Sequence, residues 1–290
     1  MNTMTDSLHA DSSRTIGAIL MDSGRLGAEA AERILKLQKE QGLRFGDAAI
    51  QLGLLSEAEV QQALAQQYAY PYLMPGDSHV SEEVVAAFKP FSPLVEQMRA
   101  LRSQLMLRWF DTSAGQQALA ITSPEQGDGR SFIAANLAVV FSQLGERTLL
   151  IDADLRRPRQ HELFRLDNKQ GLSGILAGRG QLSEGVRRIP GLLGLSVLPA
   201  GPLPPNPQEL LSRAQAFPGL LAAARNHYDV ILVDTPAARP SADAQAVATA
   251  TRGALVLARK DVTPMAGLQA LVAALQHGGA QVLGSVLNNG

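Results

Sequence analysis

The sequence predicts an α/β fold with a mostly parallel sheet, preceded by a small all-α duplicated domain, and three observations lead to this prediction. Apolar runs of strand length alternate with helical patterns from Ala118 onward, as in parallel sheets covered on both faces. A glycine-containing loop follows the first of these runs and leads at once into a helical pattern. The segment from Thr15 to Gln67 contains an internal repeat.

Composition limits the classes of function. The 290 residues are 46% hydrophobic and carry a net charge of −1, so no bulk attraction to nucleic acid or an acidic membrane is expected. The sequence has no cysteine, which excludes disulfides, thiol nucleophiles and Cys-ligated zinc. The first residues lack the pattern of a secretory signal, and no apolar run approaches the ~18 to 20 residues that span a bilayer. Any membrane association is therefore expected to come through a partner.

The repeat predicts a domain at 1–75. Gly17 and Gly46 are 29 positions apart, and so are Gly24 and Gly53. Each unit has the pattern of a short helix, a glycine stop and a longer helix, and Ser56 with Glu59 forms a capping-box start. A duplicated helical hairpin explains the pattern. Proline and glycine residues then predict a linker at 76–92.

The region 93–290 is predicted to form the α/β domain. A helix from about Leu94 to Phe110 comes first. Further strands are expected at Arg147–Asp152, Leu195–Pro199, Asp229–Asp234, Ala254–Ala258 and Gln281–Leu287. Continuous apolar strands separated by helices place this sheet between two helical layers.

The loop after the first strand has the parts of a phosphate-binding loop. Gly127 and Gly129 bring no Cβ atom between a phosphate and the backbone, and Ser131 offers a hydroxyl to Mg²⁺. The following helix would present the positive end of its dipole. The pattern G-x-x-x-x-G-K-[ST] is broken at Pro124 and Arg130, so an ordinary glycine-rich turn is an alternative from the loop alone.

Two strand-ending aspartates favour the nucleotide interpretation. Asp152 and Asp234 fall at the carboxyl ends of strands, where open parallel sheets bind ligands. Two carboxylates and a hydroxyl near phosphates suit Mg²⁺. Either aspartate alone could instead cap the next helix. Together with the loop, they predict a P-loop NTPase fold.

Several stretches resemble one family, the bacterial tyrosine kinases (BY-kinases) that act with polysaccharide chain-length determinants. The run from Leu149 to Pro158 resembles their second Walker-type motif, and Ile231–Pro236 resembles their Walker B. Further matches are Pro199–Pro207 with Glu209–Leu211, Asp243-Ala244, and Glu96-x-x-Arg99-x-x-Arg102. The N-terminal repeat resembles the N-terminal domain of type II secretion and pilus ATPases. With that domain in front, the chain is most similar to the exopolysaccharide subgroup associated with exosortase systems.

The resemblance implies an ATP- and Mg²⁺-dependent protein tyrosine kinase that regulates exopolysaccharide chain length and export. The catalytic residues would be Arg130 in place of the phosphate-gripping Lys, Asp152 as candidate base, and Asp154. The metal ligands would be Ser131, Asp152 and Asp234. The nucleotide would be bound by Gly127, Asp128, Gly129, Arg130, Ser131, Phe132 and Asn288.

The resemblance also implies partners and a location. The chain would dock on a membrane-embedded chain-length determinant from the cytoplasmic side of the inner membrane. It would form homo-oligomers through Glu96, Arg99 and Arg102, although spacing alone predicts only a solvated charged face. No nucleic-acid partner is implied.

Two departures define an alternative function, a catalytically silent nucleotide-gated assembly module. Arg130 replaces the family Lys, and Tyr228 is the sole tyrosine after Tyr72, where such kinases carry a tyrosine-rich tail. The related ParA/MinD ATPases carry a signature Lys where this chain has Glu125, so that branch is disfavoured.

The repeat resembles motifs that bind cyclic di-GMP in some of those ATPases. Arg44, Phe45 and Gly46 would offer a guanidinium fork, an apolar surface and room for a phosphate. The first repeat has Thr15 at the Arg position. We therefore expect weak or absent cyclic di-GMP binding and a domain that acts chiefly in docking.

Overall fold

The computed structural model describes residues 15–67, 71–73, 79–213, 215–239 and 241–289, which fall into two compact units divided between Pro71 and Tyr72. Within its described residues, the smaller unit has four helices, α1 (Ile16–Asp22), α2 (Ala28–Gln41), α3 (Phe45–Gln51) and α4 (Glu57–Gln67). Helices α3 and α4 begin 29 positions after α1 and α2, so the all-α duplicated domain is confirmed.

The glycine stops and the capping box predicted for the smaller unit are present in the structure. Gly24 and Gly53 have φ values of +71° and +64°, the left-handed turns that end the short helices. The Ser56 N–H donates to Glu59 Oε2 at 2.8 Å, and the Glu59 N–H donates to Ser56 Oγ at 3.3 Å, which forms the capping box.

Gly17 and Gly46 pack closely against neighbouring side chains. A Cβ atom on Gly46 would lie 2.4 Å from Val60 Cγ1, and one on Gly17 would lie 3.2 Å from Phe45 Cζ. Gly46 is buried and the Phe45 ring packs against the helical core. Close packing against Val60 and Phe45 therefore favours glycine at both positions.

The larger unit has ten helices and seven strands within its described residues. The first part contains α5 (Val85–Phe88), α6 (Pro93–Arg108), β1 (Ala118–Thr122), α7 (Arg130–Gln143), β2 (Thr148–Asp152), α8 (Gln160–Leu163), α9 (Leu172–Leu176) and α10 (Leu182–Gly185). The second part contains β3 (Arg187–Arg188), β4 (Leu195–Leu198), α11 (Pro207–Ser212), α12 (Ala216–Arg225), β5 (Val230–Asp234), α13 (Asp243–Thr251), β6 (Gly253–Arg259), α14 (Met265–His277) and β7 (Gln281–Asn288).

The seven strands form one sheet in the order β3-β4-β2-β5-β1-β6-β7. All neighbours are parallel except β3, which pairs antiparallel with β4. Alternate residues of β1 belong to two different hydrophobic clusters. Leu119 and Ile121 are buried in one cluster, and Ala118 and Ala120 are buried in the other. The predicted mostly parallel sheet covered on both faces is confirmed.

The described part of the predicted linker, residues 79–92, packs within the larger unit. Val80, Val84, Ala86 and Ala87 are buried in the core cluster that includes α7. The Asn136 side chain of α7 accepts a hydrogen bond from the Ala86 N–H at 2.8 Å. The division between units therefore precedes the linker that the sequence predicted, because the short apolar segment 80–88 has a hydrophobic partner.

Candidate nucleotide site

The loop between β1 and α7 is held in a fixed conformation by its own side chains. Gly127 and Gly129 have φ values of +86° and +97°, which glycine adopts without strain. Asp128 is fully buried; its Oδ2 accepts from the Glu125 N–H at 2.9 Å and its Oδ1 from the Thr263 hydroxyl at 2.6 Å. The backbone at the start of α7 is therefore preorganised in a conformation suited to bind an anion.

Asn288, at the end of β7, lies against this loop. Its Nδ2 donates to the Asp128 carbonyl at 3.1 Å, and a Cβ atom on Gly129 would lie 2.3 Å from that nitrogen. Gly129 is thus required by a close approach as well as by its φ. The adenine contact that the resemblance implied for Asn288 stays a prediction.

The two strand-ending aspartates lie side by side. Asp152 and Asp234 are paired in register on the adjacent strands β2 and β5, and both are fully buried. Asp152 Oδ2 accepts from the backbone N–H groups of Arg159 and Gln160 at 3.1 and 2.9 Å. The topology alone brings these carboxylates together, because parallel strands end at one edge of the sheet.

Burial and mutual repulsion change the pKa values of this pair. Burial, then the charge of Asp234, raises the pKa of Asp152 well above its ordinary value. Burial raises the pKa of Asp234 to about 6, although a Gln160 hydrogen bond and the charge of Arg130 lower it in part. Both carboxylates are therefore costly to keep ionised without a cation.

Asp154 shapes the turn that follows β2. It is 5% exposed, and its Oδ1 accepts from the N–H groups of Arg156 and Arg157 at 3.2 and 2.9 Å. Arg156 in turn pairs with the buried Asp243, with 2.6 Å between Nε and Oδ2. This ion pair ties the turn to the start of α13.

Gln160 is a site residue that the sequence reasoning missed. It is fully buried at the start of α8, and its Nε2 donates to Asp234 Oδ2 at 2.8 Å and to the Ser131 carbonyl at 3.2 Å. It therefore connects β5 to the first turn of α7. No spacing rule marks a glutamine within the charged run Arg156–Glu162, so the sequence carried no signal for it.

The residues present fit a Mg²⁺ ion that shares its coordination with phosphates and water. Among the described residues, Asp234 Oδ1 and Gln160 Oε1 are buried acceptors that receive no hydrogen bond. The Ser131 hydroxyl lies beside Asp234 and lowers its pKa without completing a hydrogen bond to Oδ1. No set of three His, Cys, Asp or Glu side chains in the described part of the chain could enclose a metal alone. Mg²⁺ at nucleotide sites needs only one or two carboxylates.

The chain is similar to known proteins over most of the larger unit. A family model described as cellulose biosynthesis protein BcsQ matches residues 116–278. The putative tyrosine-protein kinase CapB of Staphylococcus aureus is 35% identical over 200 residues, which cover 69% of this chain and 86% of CapB. The chain belongs to the family of bacterial tyrosine-protein kinases.

Other members of this kinase family are longer than this chain. The tyrosine-protein kinase etk of Escherichia coli K12 is 35% identical over 204 residues, which cover 70% of this chain and 28% of that kinase. The solved kinase domain of that enzyme is similar to this structure with a TM-score of 0.66 and 33% identity, covering 71% of this chain and 79% of the domain. The chain thus spans little more than a quarter of that curated relative.

The cell-division ATPases share the fold alone. MinD of Pyrococcus horikoshii, solved with Mg-ADP, has a TM-score of 0.52 and 22% identity, and the match covers 59% of this chain and 69% of MinD. The P-loop NTPase fold predicted from the loop and the aspartates is therefore confirmed, and the kinases are the more similar relatives.

Arg130 contacts protein acceptors in this structure, and the phosphate-binding role that the resemblance implied stays a prediction. Arg130 is 7% exposed, and its guanidinium donates to the Thr235 carbonyl at 2.8 Å, to the Glu125 carbonyl at 2.7 Å and to the Ser123 hydroxyl. In this protein, it connects both ends of the phosphate-binding loop to the residue after β5. Phe132, two residues further on, is partly buried against the core cluster.

The three charged residues predicted to oligomerise lie on α6. Arg99 forms an ion pair with Glu96 one turn earlier, and Arg102 Nη1 donates to the Val140 carbonyl of α7 at 2.9 Å. Arg102 therefore also secures α6 to the helix that begins at the candidate site. No helix in the part of the chain that the structure describes is long and apolar enough to cross a membrane.

Proposed function

We propose that the larger unit is an ATP-dependent protein tyrosine kinase that regulates exopolysaccharide chain length and export. One observation carries the proposal: Asp152 and Asp234 lie in register beside Ser131, and a buried oxygen of Asp234 has no hydrogen-bond partner. That arrangement suits a cation, and the chain is similar to proteins named tyrosine-protein kinases.

The position of each group of site residues determines its proposed role. The backbone N–H groups from Gly127 to Ser131 and the dipole of α7 bind the phosphates. Ser131, Asp152 and Asp234 would hold Mg²⁺, which when bound neutralises charge on the phosphates. Asp152 accepts the proton of the tyrosine hydroxyl as the general base. Asp154 stabilises the turn that follows β2 and Asp152.

The first prediction concerns Asp152. Asp152→Asn keeps the size of the side chain but removes the base, so we expect radiolabelled phosphate transfer from ATP to fall by about 10² to 10⁴-fold. ADP·Mg²⁺ affinity, measured by isothermal titration, tests the site separately. Asp47→Asn, an exposed substitution on α3 of the smaller unit, is the matched control. Equal transfer by wild type and Asp152→Asn would contradict the assignment of Asp152 as the base.

The alternative, a silent nucleotide-gated assembly module, is supported by one feature. The Arg130 guanidinium is bound to three protein acceptors and not directed at a free space. A chain that binds ATP·Mg²⁺ with no phosphate transfer to itself or to a partner would favour this alternative. The same transfer assay therefore separates the two functions.

We also propose a partner and a location. The matched family model describes a protein of cellulose biosynthesis, which supports a role at a polysaccharide-export machinery. The kinase would bind a membrane-embedded chain-length determinant at the cytoplasmic face of the inner membrane. Membership of the exosortase-associated subgroup stays a prediction.

The second prediction concerns α6, which we propose as a surface for homo-oligomers. The Arg99→Ala, Arg102→Ala double variant should shift the mass distribution in light scattering toward monomer, and added salt should act in the same direction. Arg108→Ala, at the exposed end of the same helix, is the control. Because Arg102 also contacts Val140, circular dichroism must show that the variant is folded. An oligomeric wild type matched by an oligomeric variant would refute the role of α6.

The smaller unit is proposed to act chiefly as a docking module. Arg44 is exposed at the start of α3 and offers its guanidinium to solvent, whereas Gly46 is closed off by Val60. Symmetric binding of cyclic di-GMP would also need an Arg at the position that Thr15 occupies. Weak or absent binding therefore remains our expectation.

A further inference from the structure

A cleft of about 560 Å³ opens beside the carboxyl end of β4. Its walls come from the loop after β4, which includes Pro202–Asn206, and from the segment Lys169–Gly185. Arg213, after α11, closes one side. None of these residues belongs to the phosphate-binding loop or to the aspartate pair.

The cleft has a rigid frame. A Cβ atom on Gly171 would lie 2.2 Å from the Pro199 carbonyl oxygen and 2.4 Å from the Gly201 nitrogen, so the two walls touch through backbone. The Ser173 hydroxyl donates to the Pro202 carbonyl at 2.7 Å. The Asn168 side chain accepts from the Gly201 N–H at 2.7 Å and donates to its carbonyl at 3.2 Å. The cleft is therefore preformed in the protein.

The cleft lies at the same edge of the sheet as Asp152, the candidate base. Strand β4 is the direct neighbour of β2, on the side away from β5 and β1. Adjacent strands are about 4.8 Å apart. The phosphate-binding loop after β1 and the cleft after β4 thus lie on opposite sides of Asp152, along one edge of the sheet. The cleft therefore lies on the β4 side of Asp152, and the phosphate-binding loop lies on its β5 side.

The lining has a definite chemistry. Leu203 is 60% exposed and is flanked by Pro202, Pro204 and Pro205, which together present an apolar surface to an aromatic ring. Arg179 and Arg213 line the cleft, are exposed, and form no ion pair within the described ranges. Of the two acidic side chains in the lining, Glu184 is engaged as a helix cap, with its Oε2 accepting from the Gln181 N–H at 2.9 Å.

We propose that this cleft binds the phosphate acceptor, an acidic polypeptide segment that contains tyrosine. The inference rests on the proposed kinase function, since it assigns the acceptor side of that reaction. The tyrosine ring lies on the apolar rim with its hydroxyl toward Asp152, and flanking carboxylates pair with Arg179 and Arg213. Two arginines that form no ion pair within the described residues, at a proline-lined cleft, favour an acidic ligand over a basic one.

The test uses the full chain and a fluorescent glutamate–tyrosine copolymer as probe. Fluorescence anisotropy should show saturable binding by wild type. Arg179→Glu and Arg213→Glu should each weaken it about two- to fivefold, the range for exposed charge pairs. Arg108→Glu, a matched charge reversal at the exposed end of α6, should leave it unchanged. ADP·Mg²⁺ affinity should be the same in all four proteins.

Each outcome decides a separate point. No binding by wild type, or an equal loss with Arg108→Glu, overturns the cleft assignment. If wild type transfers phosphate to the copolymer and the cleft variants show the wild-type KM for it, the cleft is also wrong while the kinase function stands. If the copolymer binds as expected but receives no phosphate, the kinase function fails and the acidic-peptide cleft remains.

Discussion

Asp234→Asn is expected to stabilise the nucleotide-free protein at pH 7 by about 2 to 3 kcal/mol and to abolish its affinity for ADP·Mg²⁺. Burial raises the pKa of Asp234 to about 6, so an ionised carboxylate is disfavoured in the folded state. A shift of about two pKa units corresponds to about 3 kcal/mol. An Asn amide keeps the acceptor toward Gln160 without the charge.

The pH dependence follows from the direction of this shift. A raised folded-state pKa contributes stability that is fully present below about pH 4 and is lost as the pH rises through about 6. The difference in free energy of unfolding between Asp234→Asn and wild type should therefore grow between those values. Urea denaturation at a series of pH values measures it.

Asp229, just before β5, provides a control because its pKa shifts in the opposite direction to that of Asp234. A hydrogen bond from Arg147 lowers the pKa of Asp229, so its contribution is present above its ordinary pKa and is lost as the pH falls. Asp229→Asn should therefore weaken the fold slightly at pH 7. A destabilised Asp234→Asn with an unchanged pH profile would show that the carboxylate is not strained without its cation.

The sheet was predictable because each central strand is a continuous apolar run. Their order along the chain and the parallel rule place Asp152 and Asp234 at one edge without any knowledge of side-chain contacts. Strand β3 was not predicted, because Arg187 and Arg188 have no apolar pattern and pair only through β4. The helical repeat was predictable because its period is in the sequence itself.

Contacts between distant segments were not predictable. Gln160 is a site residue only because the folded chain brings β5 and α7 next to it. Asp128 stabilises the loop through a hydrogen bond from Thr263, which is 135 positions away. The apolar residues of the segment 80–88 indicate a buried surface but do not name its partner, and the prolines around them suggested a linker. Sequence patterns thus predict which edge carries the chemistry, whereas the hydrogen-bond network needs the tertiary structure.

Arg130→Ala is expected to lower the free energy of unfolding of the nucleotide-free protein by about 3 kcal/mol. The buried guanidinium donates to the Thr235 and Glu125 carbonyls and to the Ser123 hydroxyl. Its removal leaves these buried acceptors without partners and also removes a cation that lowers the pKa of Asp234. Thermal and urea unfolding without nucleotide measure the effect.

This prediction separates two roles of Arg130. A residue that only grips phosphate would leave the stability of the nucleotide-free protein nearly unchanged, and its loss would appear solely in ADP·Mg²⁺ affinity. Arg130→Lys is the matched variant, because it keeps the charge but one ammonium cannot reproduce the fork that bridges both ends of the loop. We expect Arg130→Lys to be intermediate in stability. If both variants unfold like wild type without nucleotide, the structural role assigned here to Arg130 is wrong and the guanidinium serves the phosphates.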